Sequence, residues 1–150
     1  MLGSIVVFLH VATMFTVVAL HTGPQLLVYA AVKRSDQAAV AAIGGTYGRS
    51  GRLVPPLGVA GAVLGIAAGL LIGFNLLAPW LLIAYVLFGA LVLFGGLVTV
   101  PYVARLSRAA RHGSDDYAAL AGRRLTAILM LDALLYVLIV GDMVVKPFGP

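Results

Sequence analysis

Four long apolar stretches dominate the pattern of hydrophobic and polar positions along the chain. They cover residues 4–32, 53–77, 80–104 and 125–145. Each is about 20 residues long or longer, and about 20 residues of helix cross the roughly 30 Å of hydrocarbon in a bilayer. The pattern therefore predicts an all-α fold, in which the chain forms one domain built as a four-helix transmembrane bundle.

The segments between the stretches predict how the bundle lies in the membrane. The segment NLLAPW between spans two and three is short and uncharged, which favours a tight hairpin with Trp80 at the lipid–water interface. Nine of the ten Lys and Arg residues lie in the other two connections. Since cytoplasmic loops carry an excess of Lys and Arg, we expect two basic cytoplasmic loops and both termini outside. The first span lacks a preceding basic segment and is too long for a signal peptide, so we expect it to be retained.

The composition indicates that lipid is the solvent of this chain. Of its 150 residues, 62% are hydrophobic and 10% are charged, whereas about 25% of the residues of a soluble domain are charged. The absence of cysteine excludes disulfides, thiolate zinc sites and covalently attached c-type haem. The net charge of +5 does not indicate nucleic acid binding, because the basic residues are confined to loops. We expect these loops to lie against anionic lipid head groups of the bacterial inner membrane.

The two basic loops also carry signals for helix ends. Ser35 and Asp36 can cap a short interfacial helix, which we expect to end in the glycines of IGGTYGRSG. In the second loop arginines recur at three-residue spacing, so span three is expected to continue as a helix into the cytoplasm. Gly113 can end that helix, and Ser114 can cap a new helix that leads into span four.

Span two carries a glycine at every fourth position, and we call this set the glycine ladder: Gly61, Gly65, Gly69 and Gly73. A glycine within a helix costs about 0.5–1 kcal/mol relative to alanine. In lipid, small residues offset this cost by letting helices approach closely. The ladder therefore predicts a packing face. Its partner is another span of the chain, a second subunit or a flat macrocycle.

Two histidines and two aspartates lie inside the predicted spans. His10 and His21 are eleven residues apart, so they lie on one face of span one, roughly 16–17 Å apart along its axis. Span four runs antiparallel to span one and places an aspartate at the depth of each histidine, which predicts the pairs His21–Asp132 and His10–Asp142. Ten residues leave the two aspartates about 80° apart around their helix, which favours the first pair over the second.

Three interpretations of these polar residues stay open. Imidazole and carboxylate can satisfy each other and specify the order of the helices. Alternatively, His10 or His21 binds a haem iron while a carboxylate orients its other ring nitrogen, and Met143, at the depth of His10, is the candidate opposite ligand. In the third interpretation the pairs belong to a proton or ion path. One chain cannot ligate a haem with two histidines, because both lie on one helix and too far apart.

Short motifs along almost the whole chain resemble a known family. Five segments are similar to the small membrane protoporphyrinogen oxidases of the HemJ type, and still more to a related family of bacterial integral membrane proteins, DUF2269. They are LHVATMF, GPQLLVYAAV, GRLVPP, WLLIAY and VVKPF. In the oxidases a histidine early in span one binds haem, and by position it corresponds to His10. The resemblance therefore implies the four-helix fold and b-type haem at His10.

The chain departs from the oxidases in span three. The oxidases rely on a lysine shortly after the tryptophan of this span, where the present chain has Ala84. They also carry a later histidine, where this chain has Gly95 and Gly96 nearby. The resemblance consequently does not carry the oxidase activity over to this chain.

Two functions follow from the sequence as alternatives. The first is a b-type haem protein with a redox role, in which His10 ligates the iron and Asp132 or Asp142 orients a ring nitrogen. The second is an accessory subunit without catalytic residues, whose glycine ladder packs into a homo-oligomer or a larger membrane complex.

Overall fold

The computed structural model of the chain describes residues 1–147, without the side chains of Arg49 and Ser50. Phe148, which ends the VVKPF motif, therefore lies outside the described residues, as does the arginine side chain of the first basic loop at position 49. The elements in chain order are α1 (Leu2–Lys33), α2 (Gln37–Ser50), α3 (Val54–Leu71), α4 (Pro79–Phe94), a π-helical segment (Gly95–Thr99), α5 (Val100–His112), α6 (Asp116–Leu120) and α7 (Arg123–Val145).

Four helical stretches within residues 1–147 are long and apolar enough to cross a membrane. They are Leu2–Lys33, Val54–Leu71, Pro79–His112 and Asp116–Val145. Span three consists of α4, the π-helical segment and α5, and span four consists of α6 and α7. The predicted all-α fold with four spanning helices is confirmed, and the chain is a multi-pass membrane protein.

The spans pack as two antiparallel pairs. α1 lies along α3, and α4 lies along α7, whereas α1 and α7 meet over a shorter stretch. α2 packs against both α1 and α5, so it closes one end of the bundle. We call this end the basic end, because the two basic loops are there. The hairpin end is the opposite one, where residues 72–78 connect α3 to α4.

Span three changes its helix type where it approaches the basic end. The π-helical segment separates α4 from α5. Pro101 has no N–H to donate, and its ring would clash with the carbonyl four residues earlier, so a regular α-helix is disfavoured here. A π-helical turn inside an α-helix is rare and is frequent at functional sites.

The first basic loop is helical through its glycines, which corrects the expectation that they end the helix. α2 continues through Gly44 and Gly45 to Ser50. A Cβ atom at Gly44 would overlap the side chain of Ser107 on α5. The glycine thus allows a close approach of α2 and α5, and this packing outweighs the low helix propensity of glycine.

Two predicted helix ends are confirmed, and a third differs by one residue. Asp36 Oδ1 accepts the backbone N–H of Ala39 at 2.9 Å and caps α2. Gly113 ends α5 with a φ of +60°, in the left-handed region that favours glycine. The cap residue of α6 is Asp115 and not the predicted Ser114, although Ser114 Oγ accepts the backbone N–H of Asp116 at 3.3 Å.

Two hydrophobic clusters hold the bundle together. The larger one lies at the basic end, where Tyr47, Leu106 and Leu125 are among its fully buried side chains. The smaller one lies at the hairpin end, where the Trp80 ring meets Phe74 edge-on with 5.6 Å between ring centroids. Trp80 lies in the first turn of α4 beside the hairpin, but only 4% of it is exposed, so protein rather than the lipid–water interface encloses its ring.

Candidate functional site

A buried polar network centred on Asp132 is the main candidate for a functional site. Asp132 lies on α7 and is 0% exposed. Its Oδ2 atom accepts hydrogen bonds from His21 Nε2 at 3.0 Å and from Gln25 Nε2 at 3.1 Å. Its Oδ1 atom accepts one from the Thr99 hydroxyl at 3.1 Å. We call these four residues together with Tyr47 the His–Asp network.

Hydrogen bonds within the network close into a ring. Gln25 Nε2 also donates to Tyr47 Oη at 3.3 Å, and the Tyr47 hydroxyl lies 3.3 Å from His21 Nδ1. When the tyrosine donates to Nδ1, the imidazole carries its proton on Nε2 and donates it to Asp132. Every donor of the ring then meets an acceptor, which polar groups require when they are removed from water.

Tyr47 provides a hydroxyl that keeps its proton. Burial raises the pKa of Tyr47 to about 12, the N–H of Gln25 acts in the opposite direction, and the negative charge of Asp132 raises the pKa again. The phenol is therefore protonated at every physiological pH. It can serve as the constant donor to His21.

Four elements bring the network together. His21 and Gln25 are one turn apart on the same face of α1. Tyr47 reaches them from α2, and Thr99 is the last residue of the π-helical segment. Gly95 begins that segment, and a Cβ atom there would lie 3.3 Å from His21 Cε1. The π-helical segment thus supplies both a hydroxyl donor and the space that the imidazole occupies.

The sequence predicted one contact of this network and missed the others. The His21–Asp132 pair is confirmed. Gln25 carried a usable signal, since it is a polar residue one turn from His21 in an apolar span. Tyr47 carried none, because its position was expected to lie in an irregular loop. Thr99 bonds Asp132 through a π-helical turn, which apolar periodicity does not reveal.

His10 has a different partner from the predicted one. Its Nδ1 atom forms a hydrogen bond with the backbone carbonyl of Gly61 on α3, at 2.7 Å. The ring lies against Gly65, where a Cβ atom would be only 2.8 Å from His10 Cε1. Because α1 lies along α3, the imidazole reaches the α3 backbone. The predicted His10–Asp142 pair is therefore wrong.

Asp142 is buried without a partner. It is 6% exposed, and neither carboxylate oxygen has a hydrogen-bond partner among the described residues. It lies about 80° around α7 from Asp132, so α7 cannot present both aspartates to α1 in the same way. Its neighbour Met143, the predicted opposite haem ligand, packs against the cluster around Trp80 at the hairpin end.

Two glycines of the ladder face α1 of the same chain. Met14 occupies the gap beside Gly61, and His10 occupies the gap beside Gly65. At these two positions the packing partner that the sequence left open is a span of the chain itself. The two glycines of α3 thus make room for side chains of α1 inside the bundle.

The other two ladder glycines belong to the hairpin end. A Cβ atom at Gly69 would lie 3.0 Å from Leu76 in the connection to α4. Gly73 lies beyond the end of α3 with a φ of +79°, which L-residues rarely adopt. Its role is therefore to form the turn.

Comparison of the chain with protein-family models, with curated proteins and with solved structures gives no match. Among the described residues there is no group of three or more His, Cys, Asp or Glu side chains that could hold a metal ion. The class is consequently defined by fold and site: a four-span membrane protein with a buried histidine–aspartate network.

Proposed function

We propose that this chain is a proton-binding protein of the bacterial inner membrane and that the His–Asp network is its functional site. The observation that supports this proposal is the closed ring of hydrogen bonds around His21 and Asp132. An ionisable pair in a membrane span is costly and is therefore a functional candidate. The network lies next to the basic end, which the positive-inside rule assigns to the cytoplasm, so protons would exchange with the cytoplasmic side.

The ring can take up one proton through a small rearrangement. With a neutral imidazole, His21 donates from Nε2 and accepts at Nδ1. A proton added at Nδ1 gives an imidazolium that forms an ion pair with Asp132 and must donate to the Tyr47 oxygen. The Tyr47 hydroxyl then has to turn towards another acceptor. Proton uptake in the membrane would in this way change the contacts of α2.

Infrared difference spectroscopy of the purified protein tests this proposal. A step from about pH 8 to about pH 5 covers the range in which an imidazole changes its charge. We expect bands of imidazole and of the Asp132 carboxylate to change in the wild type and to be missing in His21→Gln. The variant Asp142→Asn is the matched control and should keep them. A wild-type spectrum without these bands, or a His21→Gln spectrum that retains them, would contradict the proposal.

A second candidate function is b-type haem binding at His10, and one observation favours it. The bond to the Gly61 carbonyl places the proton of the neutral imidazole on Nδ1 and leaves the Nε2 lone pair for a metal, as in axial histidines. His21 does not fit this role, because both of its ring nitrogens are bonded within the network. A haem held through His10 Nε2 would supply one-electron redox chemistry.

An absorption spectrum tests the haem proposal. Protein expressed with ample haem supply and purified in detergent should show a Soret band that His10→Ala removes. His112→Ala, a change in an exposed histidine at the end of α5, should leave the band in place. Colourless wild-type protein would exclude haem at His10 without affecting the proton proposal, which depends on His21.

A further inference from the structure

A charged groove between α5 and α6 at the basic end is independent of both proposed sites. Its α5 wall carries Arg105, Arg108 and His112, and its α6 side carries Ser114 and Asp116. The three basic residues share one face of α5, since they follow one another at spacings of three and four. The groove thus presents a row of cationic and hydrogen-bonding groups.

Contacts beneath the groove hold α6 against α5. The Tyr102 hydroxyl on α5 donates to the backbone carbonyl of Leu120 at 2.9 Å. The Arg124 guanidinium lies over the Tyr102 ring, 5.8 Å from its centroid. Leu120 also contributes to the apolar floor of the groove. The walls are therefore fixed relative to each other by packing.

The charged groups of the groove are available to a ligand. Among the described residues the only ion pair within 4.0 Å is His21–Asp132, so neither Arg105 nor Arg108 is paired with Asp116. Two guanidinium groups against one carboxylate leave the groove positive. Ser114 Oγ accepts the N–H of Asp116, which leaves its own hydroxyl proton free to donate. Guanidinium groups are suited to bidentate binding of phosphate.

The depth of the groove matches that of lipid phosphates. Along span three, Arg105 is about 39 Å and Arg108 about 44 Å from Pro79 at a rise of about 1.5 Å per residue. A bilayer is about 40–45 Å thick with both head-group layers, so both arginines lie in the head-group layer of the basic end when α4 begins at the outer edge of the opposite head-group layer. Basic pockets at this level are typical binding sites for anionic lipid head groups.

We propose that the groove between α5 and α6 binds the head group of an anionic phospholipid that carries free hydroxyls, such as phosphatidylglycerol. Arg105 and Arg108 bind the phosphate. Asp116, which would repel a bare anion, accepts a hydrogen bond from a head-group hydroxyl. The apolar floor at Leu120 contacts the start of an acyl chain. The lipid would thereby hold α5 and α6 at a defined depth in the membrane.

Lipid binding to the purified protein in a non-ionic detergent tests this proposal, with native mass spectrometry as the readout. Phosphatidylglycerol and phosphatidylcholine are the probes, and inorganic phosphate is the competitor. The double variant Arg105→Gln/Arg108→Gln should bind phosphatidylglycerol about thirtyfold more weakly, as expected when two charges near the surface are lost. The matched control, Arg34→Gln/Arg52→Gln, removes two exposed charges elsewhere at the basic end and should change binding less than about threefold.

Three other outcomes would contradict the proposed lipid site. An equal loss in both double variants would show a diffuse attraction to the whole basic end. Equal binding of phosphatidylcholine would exclude selectivity for an anionic lipid. Displacement of phosphatidylglycerol by inorganic phosphate would indicate a general anion site. All four residues are exposed, so circular dichroism is expected to show the same folded state for both variants.

Discussion

Asp132 is the residue on which three elements of the bundle converge. Its two oxygens accept bonds from α1 and from the π-helical segment, while α7 carries it. A buried carboxylate loses its hydration, and only hydrogen bonds or an ion pair replace that loss. Asp132 has both kinds of partner, because His21 can carry a charge. Asp142, on the same helix, has none among the described residues.

This contrast gives a prediction at the residue scale. Asp132→Asn keeps the size of the side chain but replaces one acceptor oxygen by an NH2 donor. This donor faces either the donors of His21 and Gln25 or the Thr99 hydroxyl, so at least one buried donor loses its acceptor. We expect the free energy of unfolding in detergent to fall by about 1–3 kcal/mol. Asp142→Asn removes no hydrogen bond and should leave stability unchanged or raise it. Equal destabilisation of the two variants would contradict the network as described.

Tyr47 makes the free energy of unfolding depend on pH in the alkaline range. Its pKa of about 12 in the folded state lies above the ordinary value of 10.0, because burial favours the neutral phenol. The stabilising contribution is complete below pH 10.0 and is lost as the pH rises to about 12, because only the unfolded chain ionises at first. We expect wild type to lose about 2–3 kcal/mol more than Tyr47→Phe over this range, as measured by unfolding at fixed pH values. Parallel curves for the two proteins would contradict the assignment.

The residue scale also shows what depth alone can and cannot predict. Residue numbers on antiparallel helices place His21 opposite Asp132 and His10 opposite Asp142. The first pair forms, whereas His10 bonds to the Gly61 carbonyl. The depth of a residue in the membrane fixes only its position along the helix axis. Its hydrogen-bond partner also depends on which neighbouring helix its side of the helix faces. That choice is set by packing against α3, which a single sequence does not specify.

At the scale of elements, the contact between α1 and α3 depends on missing side chains. Glycines on α3 leave gaps that His10 and Met14 of α1 fill. In lipid, close packing rather than burial from water drives such contacts. The four-residue spacing predicted a packing face on α3, and at Gly61 and Gly65 this face meets α1, a partner that the spacing did not reveal.

Substitutions on α3 measure this contact. A Cβ atom at Gly65 would lie 2.8 Å from His10, so Gly65→Ala should destabilise the protein by about 1–3 kcal/mol. At Gly58, on the same helix, the nearest atom would be an ordinary 3.8 Å away, so Gly58→Ala should be neutral or stabilise by up to about 1 kcal/mol. The double variant His10→Ala/Gly65→Ala should recover part of the loss, since the clashing ring is gone. Strict additivity in this cycle would contradict the contact.

α2 shows where prediction from the sequence ends. Its start was predictable, because Asp36 caps it through a local hydrogen bond. Its continuation through Gly44 depends on Ser107, more than sixty residues away in the chain. Local helix propensity therefore predicted a shorter α2 than tertiary packing produces. For this reason Tyr47 was not predicted as a member of the His–Asp network. The spanning helices were predicted correctly, because the length of an apolar stretch is a local property of the sequence.

At the scale of the whole molecule, the His–Asp network and the basic loops lie towards one end of the bundle. α2 covers the basic end, the His–Asp network lies where α2 meets the spans, and the groove between α5 and α6 opens beside it. Whether proton uptake and lipid binding face the cytoplasm therefore depends on a single property, the orientation of the bundle in the membrane.

Cysteine labelling measures that orientation directly, because the natural chain has no cysteine. Gln37→Cys marks the basic end and Asn75→Cys the hairpin end, and both positions are exposed. If the basic end faces the cytoplasm, an impermeant maleimide added to spheroplasts should label Asn75→Cys at once and Gln37→Cys only after the membrane is opened. The reverse pattern would place the His–Asp network near the outer surface, so its proton exchange would be with the outside. Labelling of both cysteines from outside would contradict the four-span topology, since one span, α3, lies between the two positions and places them on opposite sides of the membrane.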